Sequence, residues 1–143
     1  MRASPHCVAF IKRFEGFSAT PYKCSAGVYT IGYGTTKGIT KDTPPVTKEQ
    51  ADEMFIRDLI KFENSVNNLI KHPLKQNQFD SLVSFVYNLG GGALQRSTLR
   101  QKINRGDING ASAEFMKWTK AGGRVIMGLV TRREAEMKLF IGG

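Results

Sequence analysis

Between Pro45 and Pro73 the chain carries one uninterrupted helical signal, and no other feature constrains the fold as much. Ala51, Met54, Phe55, Leu59, Phe62, Val66, Leu69 and Ile70 recur at a 3.6-residue period and form one apolar stripe. Thr47 and Gln50 make a capping-box pattern at its start. Pro44, Pro45 and Pro73 forbid continuation at either end. Read from Thr47 to Lys71, the helix is about 35 Å long at the usual rise per residue. That length suits a connector between two lobes.

The flanks differ in character. Ser4-Pro5 reads as an N-cap and first turn, followed by Val8, Ile11 and Phe14 at helical spacing and a stop at Gly16. From Tyr22 to Thr40, glycines at 27, 32, 34 and 38 punctuate Val28, Tyr29, Ile31 and Tyr33, which suggests a small, tightly turned antiparallel sheet. Everything after Pro73 reads as helix. Phe79, Leu82, Val83 and Val86 share one helix, ended by Gly90-Gly91-Gly92. Ser97 caps a short helix with Leu99 and Ile103 that Gly106 stops, and Asp107 caps another with Ala111, Phe115 and Trp118. Gly122-Gly123 is a turn. Thr131 and Glu134 form a second capping box, predicting a last helix with Ala135, Leu139 and Phe140. The sum is a single α+β domain: a small β-containing N-terminal lobe at about 8–46, the connecting helix at about 47–71, and an all-helical lobe at about 72–143. A cleft is expected between the lobes.

Bulk properties narrow the function. The formal net charge of +9 over 143 residues predicts attraction to polyanions, whether nucleic acid, anionic lipid or an acidic cell wall. No apolar run approaches the roughly 18 residues of a membrane span, and the N-terminus lacks the apolar region of a signal peptide. Stable membrane insertion is therefore not expected. Two cysteines, Cys7 and Cys24, make no disulfide framework, and with two scattered histidines neither a metal site nor a cofactor is expected. Lysines and arginines are dispersed without a recognised nucleic-acid motif, so nucleic acid ranks last among partners. A cationic membrane disruptor is a rival reading, kept by Lys138 among Leu139, Phe140 and Ile141.

Chemistry concentrates near the N-terminus. In Phe14-Glu15-Gly16-Phe17 an acid stands between two aromatics, at the edge of apolar surface if the rings are buried. Such a carboxyl suits glycoside cleavage, in which the leaving oxygen must receive a proton; an ordinary surface glutamate is the alternative. A glycosidase also needs a group across the scissile bond. No Asp or Glu occurs between Glu15 and Asp42, and Cys24 is the strongest nucleophile in that stretch. By residue type alone Cys24 is more often a small buried hydrophobe than a catalytic group, and Thr30 is by default a plain strand residue.

These residues, with Tyr22, Gly27 and Thr30-Ile31-Gly32-Tyr33-Gly34, resemble the signature of phage lysozymes, the endolysins of glycoside hydrolase family 24. The resemblance runs on through Thr47 to Asp58, Gln78 to Phe85, Tyr87-Asn88-Leu89-Gly90, Ser97-Thr98-Leu99, Asn104 to Asp107, Trp118, Gly128-Leu129 and Arg132-Arg133-Glu134, in order. It implies a lysozyme-like fold and a monomeric muramidase. That enzyme cleaves the β-1,4 bond between N-acetylmuramic acid and N-acetylglucosamine in peptidoglycan; it is made in the host cytoplasm and acts on the wall after release. The family's active site is a Glu, an Asp or Cys nine residues on, and a Thr six further. The resemblance therefore makes Glu15 the proton donor, Cys24 the base or nucleophile, and Thr30 the residue that positions water or substrate. Tyr87, Asn88 and Ser97 become candidates to contact saccharide. One of Arg132 and Arg133 is expected to reach the catalytic acid, the other to be a surface charge. Some relatives carry a histidine where Thr35 stands, paired with an acid on the long helix, so Asp58 is expected to have another partner or none. A Cys7–Cys24 disulfide that blocks the thiol is a further hypothesis. A lytic transglycosylase is the alternative chemistry on the same fold.

Overall fold

The computed structural model describes residues 1–24 and 26–142. In chain order these form α1 (Pro5–Glu15), β1 (Ser18–Lys23), β2 (Tyr29–Gly32), α2 (Lys48–Leu69), α3 (Gln76–Leu89), α4 (Gly91–Gln95), α5 (Thr98–Asn104) and α6 (Ile108–Glu114). A 3-10 turn (Phe115–Lys117), β3 (Lys120–Ala121), β4 (Arg124–Val125) and α7 (Met127–Ile141) complete the chain. The arrangement is α+β, mostly helical, with two small antiparallel hairpins. Two compact units emerge: Ala9–Lys61, and Met1–Val8 together with Phe62–Gly143. The division falls inside α2.

In the unit Ala9–Lys61, Phe10, Ile11, Ile31, Ala51, Phe55 and Leu59 are buried. Gly16 ends α1 in the left-handed region, at φ +68°. Gly32 is needed where β2 meets α2: its φ is +66°, and a Cβ there would lie 3.2 Å from that of Ala51. The capping box at Thr47 forms reciprocally. Gln50 N–H donates to Thr47 Oγ1 at 3.1 Å, and Thr47 N–H donates to Gln50 Oε1 at 2.9 Å. The sheet is smaller than the glycine pattern suggested. Among the described residues two strands pair here, with a bulge between Ser18 and Tyr22, and Thr35 adds one isolated bridge to Ile31.

The other unit is built on α3 and α7. Phe79, Leu82, Val83, Phe85, Leu94, Leu99, Ile103, Phe115 and Phe140 are all buried. Phe115 meets Phe85 and Phe140 with ring centroids 5.8 and 5.3 Å apart. Ser4 holds the N-terminal segment here: its Oγ accepts from Cys7 N–H, and both its N–H and its hydroxyl donate to Asp80. The predicted caps of α5 and α6 are present, with Arg100 N–H on Ser97 Oγ at 3.0 Å and Gly110 N–H on Asp107 Oδ1 at 2.9 Å.

Three expectations fail locally. α2 stops at Leu69 rather than Lys71: Lys71 N–H donates to Asn104 Oδ1, and Leu69 O accepts from Asn104 and Arg100 side chains. Gly90-Gly91-Gly92 does end α3: Gly90 is its C-cap at φ +89°, and α4 starts at once from Gly91. α6 ends at Glu114, and Trp118 follows the 3-10 turn. The second capping box does not form, because Ile126 takes the N-cap position and α7 begins at Met127. Thr131 then lies inside the helix, and its hydroxyl donates to Met127 O at 3.1 Å.

Candidate active site

Glu15 is the last residue of α1, half-buried, and Gly16 turns the chain directly into β1. The β1–β2 register sets Tyr22 opposite Thr30. Beyond the strand end, Cys24 N–H donates to Val28 O at 3.0 Å and Gly27 N–H to Cys24 O at 2.9 Å, which pins the hairpin loop. Cys24 is a free thiol, half-buried.

Among the described residues four donors surround its sulfur, the weakest its own backbone N–H. Backbone N–H groups of Val28 and then Ala26 act most strongly, the Thr30 hydroxyl adds to them, and together they lower the Cys24 pKa below the ordinary thiol value against a smaller opposing effect of burial. Thr30 is 4% exposed, and its hydroxyl also lies 3.2 Å from Val28 O. Its single proton can serve that carbonyl or an ionised Cys24. Tyr22 reports on the same place. Its phenol pKa is raised first by burial, then by the negative charges of Glu15 and Cys24. One exposed phenol thus feels both the acid and the thiol, and the structure brings Glu15, Cys24 and Thr30 together around the hairpin with Tyr22 beside them. In the sequence Tyr22 stands only as part of the family signature; the signal that could find it is its position two residues before Cys24.

Thr35 resolves the alternative left open for Asp58. It donates from Oγ1 to Asp58 Oδ2 at 2.7 Å, so Asp58 does have a partner, a hydroxyl in place of a cation.

The remaining named residues lie in the other unit. Tyr87 is half-buried and meets Phe62, centroids 5.0 Å apart. Asn88 is half-buried and accepts at Oδ1 from Arg133 Nη2 at 2.7 Å. Ser97 is 2% exposed; its hydroxyl donates to Leu94 O and caps α5. Neither arginine is a surface charge. Arg132 and Arg133 are both buried and converge on Glu136, which is fully buried and also accepts from Ser84 Oγ at 2.6 Å. Arg133 Nε lies 2.7 Å from Glu136 Oε1 but its N–H is off line, so that contact is coulombic rather than a hydrogen bond. Burial pushes the Glu136 carboxyl up and the Arg133 guanidinium down, and their attraction opposes both shifts. Among the described residues no cluster of His, Cys, Asp and Glu could hold a metal ion, and no helix is long and apolar enough to cross a membrane.

The family model described as phage lysozyme matches residues 12–136. The chain belongs to that family. A related endolysin of Acyrthosiphon pisum secondary endosymbiont phage 1 is 44% identical, over 98% of each chain. An endolysin of Bacillus phage B103 is 42% identical over the whole of this chain, which spans 55% of that relative. Among solved structures, the muramidase domain of SpmX from Asticaccaulis excentricus aligns with a TM-score of 0.90 at 36% identity, covering 99% of both chains. The family and these likenesses make the chain a lysozyme-fold glycoside hydrolase that degrades peptidoglycan.

Proposed function

We propose that this phage lysozyme hydrolyses the β-1,4 bond between N-acetylmuramic acid and N-acetylglucosamine as an endolysin, with Glu15 donating the proton to the leaving oxygen. Cys24 acts as base or nucleophile on the other side of the scissile bond, and Thr30 positions the water or the substrate. The observation that carries this reading is the donor set around the Cys24 sulfur: backbone N–H groups and the Thr30 hydroxyl favour a thiolate where a carboxylate is the usual choice. Tyr87 and Asn88 are proposed saccharide contacts, by ring stacking and by the Asn88 amide that Arg133 orients. Ser97 would act only through α5, since its hydroxyl already serves the cap. One of Arg132 and Arg133 remains the proposed partner of the catalytic acid, although both also serve Glu136. The enzyme works as a monomer without a cofactor, is made in the host cytoplasm, and reaches the wall on release.

The test is digestion of purified peptidoglycan with mass analysis of the products. Reducing ends carrying the elements of water are expected, and anhydro ends would replace hydrolysis with transglycosylation. Glu15→Gln should abolish release. A Glu15→Gln protein that still lyses cells would make the activity membrane disruption instead. Cys24→Asp should retain activity and Cys24→Ser lose most of it.

A further inference from the structure

Far along the sequence from the catalytic residues, α4 and α5 form an open groove of about 380 Å³ lined by the polar residues Gln95, Arg100, Gln101, Asn104 and Arg105. It lies wholly within the unit that includes Phe62–Gly143. Its lining contains two cations and no acid. Arg100 is fixed: Nε donates to Leu69 O at 3.0 Å and Nη1 to Gln95 O at 3.1 Å, the last carbonyls of α2 and α4. Those carbonyls orient the guanidinium plane without neutralising its full charge. Among the described residues neither Arg100 nor Arg105 has a carboxylate within 4.0 Å. Asp107, two residues beyond Arg105, is engaged at the α6 cap. Lys102, on the same helix, shows the contrast, with Glu114 Oε2 at 3.2 Å.

We propose that this groove binds a phosphodiester within a hydroxyl-rich chain, the chemistry of anionic wall polymers. A pre-oriented guanidinium offers a fork that matches two phosphate oxygens, and Arg105 supplies a second charge. The exposed amides of Gln95 and Gln101 can donate to and accept from hydroxyls; that of Asn104 is already taken by Lys71 and Leu69. The lining holds no aromatic ring on which a nucleobase could stack, which disfavours a single-stranded nucleic acid. It holds no apolar side chain to enter a bilayer, which disfavours a lipid surface. The inference extends the wall-directed reading to a second wall component and does not depend on which residues perform hydrolysis.

The test is a titration of the whole chain with a glycerol phosphate oligomer, followed by amide chemical shifts and calorimetry. Shifts should centre on Gln95, Gln101 and Arg105. Arg105→Gln, at an exposed position, should weaken binding about tenfold, and Arg105→Glu further, while digestion of polymer-free peptidoglycan stays unchanged. Arg100→Gln should weaken binding as well; because it also removes bonds to two helix ends, its thermal unfolding is measured alongside. Binding unaffected by both Arg105 variants, or shifts centred elsewhere, would overturn the site. Arg105-dependent binding of equal strength to inorganic phosphate, a single-stranded oligonucleotide of matched charge, or phosphatidylglycerol vesicles would overturn the ligand class. Neither result touches the outcome for Glu15→Gln, so the two readings fail separately.

Discussion

Cys24, in the unit Ala9–Lys61, and Cys7, in the unit that joins Met1–Val8 to the C-terminal helices, are one side chain in opposite surroundings. Cys24 is half-buried, and backbone N–H groups pull its pKa down. Cys7 is fully buried, its thiol directed to Asp80 O at 3.5 Å, and its pKa is pushed up by burial and then by the charges of Asp80 and Glu63. The acids divide the same way. Glu15 ends a helix half-buried beside the hairpin, whereas Glu136 is sealed among two arginines and Ser84. The first unit leaves reactive groups at a surface and tunes its thiol with backbone donors; the second turns them inward to serve its own packing. Residue type therefore says little about reactivity here; solvent access and the sign of the nearest donors decide it.

Substitution should split each pair. Cys24→Ser is expected to lower peptidoglycan hydrolysis by about 10² to 10⁴-fold, the range for removing a general base or nucleophile. Cys7→Ser should leave turnover nearly unchanged and act on stability alone. Steady-state rates beside thermal unfolding read both, and equal losses of rate would break the contrast. Next comes Glu136→Gln, which takes the carboxylate from the buried Arg133 guanidinium and should cost about 3–5 kcal/mol of stability in denaturant unfolding. Glu15→Gln should leave the unfolding midpoint close to that of the unaltered protein while activity disappears. A third measurement follows alkylation by iodoacetamide. Cys24 should react roughly 100-fold or more faster than Cys7, which needs local opening to be reached. The sign of the pH dependence follows from the lowered Cys24 pKa: the thiolate fraction falls as pH drops through that value. The midpoint of its alkylation profile should therefore lie below that of the same cysteine in urea. A midpoint above it would remove the backbone donors as the cause.

The sequence revealed the long helix, its Thr47 cap, and the caps at Ser97 and Asp107, because capping chemistry is local and each box had no competitor nearby. Glu15, Cys24 and Thr30 are picked out by spacing against a known family, and their catalytic roles are the proposal made above. What their spacing did not show was the electrostatic environment, since the donors to the Cys24 sulfur are main-chain groups of Val28 and Ala26 that no side-chain pattern reveals. Arg132 and Arg133 misled for the opposite reason. Adjacent arginines read as surface charge, yet Glu136 three and four residues on faces both within one helix, and Ser84 of α3 completes the cluster. The Thr35–Asp58 hydrogen bond was missed because the family comparison framed the position as a lost ion pair rather than as a hydroxyl within reach.

The smallest expected effect compares two threonines that look alike in sequence. Both Thr47 and Thr131 precede a Gln or Glu by three residues, ahead of apolar positions. In the structure only Thr47 caps: it holds the N–H of Gln50, whereas Thr131 sits one turn inside α7 and donates back to Met127 O. Thr47→Ala removes an acceptor from a helix end and should cost about 1 kcal/mol. Thr131→Ala removes a hydroxyl from an exposed helix-interior site and replaces it with a better helix former, so its effect should be within about 0.5 kcal/mol and of either sign. Paired denaturant titrations resolve that difference. A loss at Thr131 as large as at Thr47 would mean that α7 starts at Thr131 after all, with Gly128 and Met127 outside the helix.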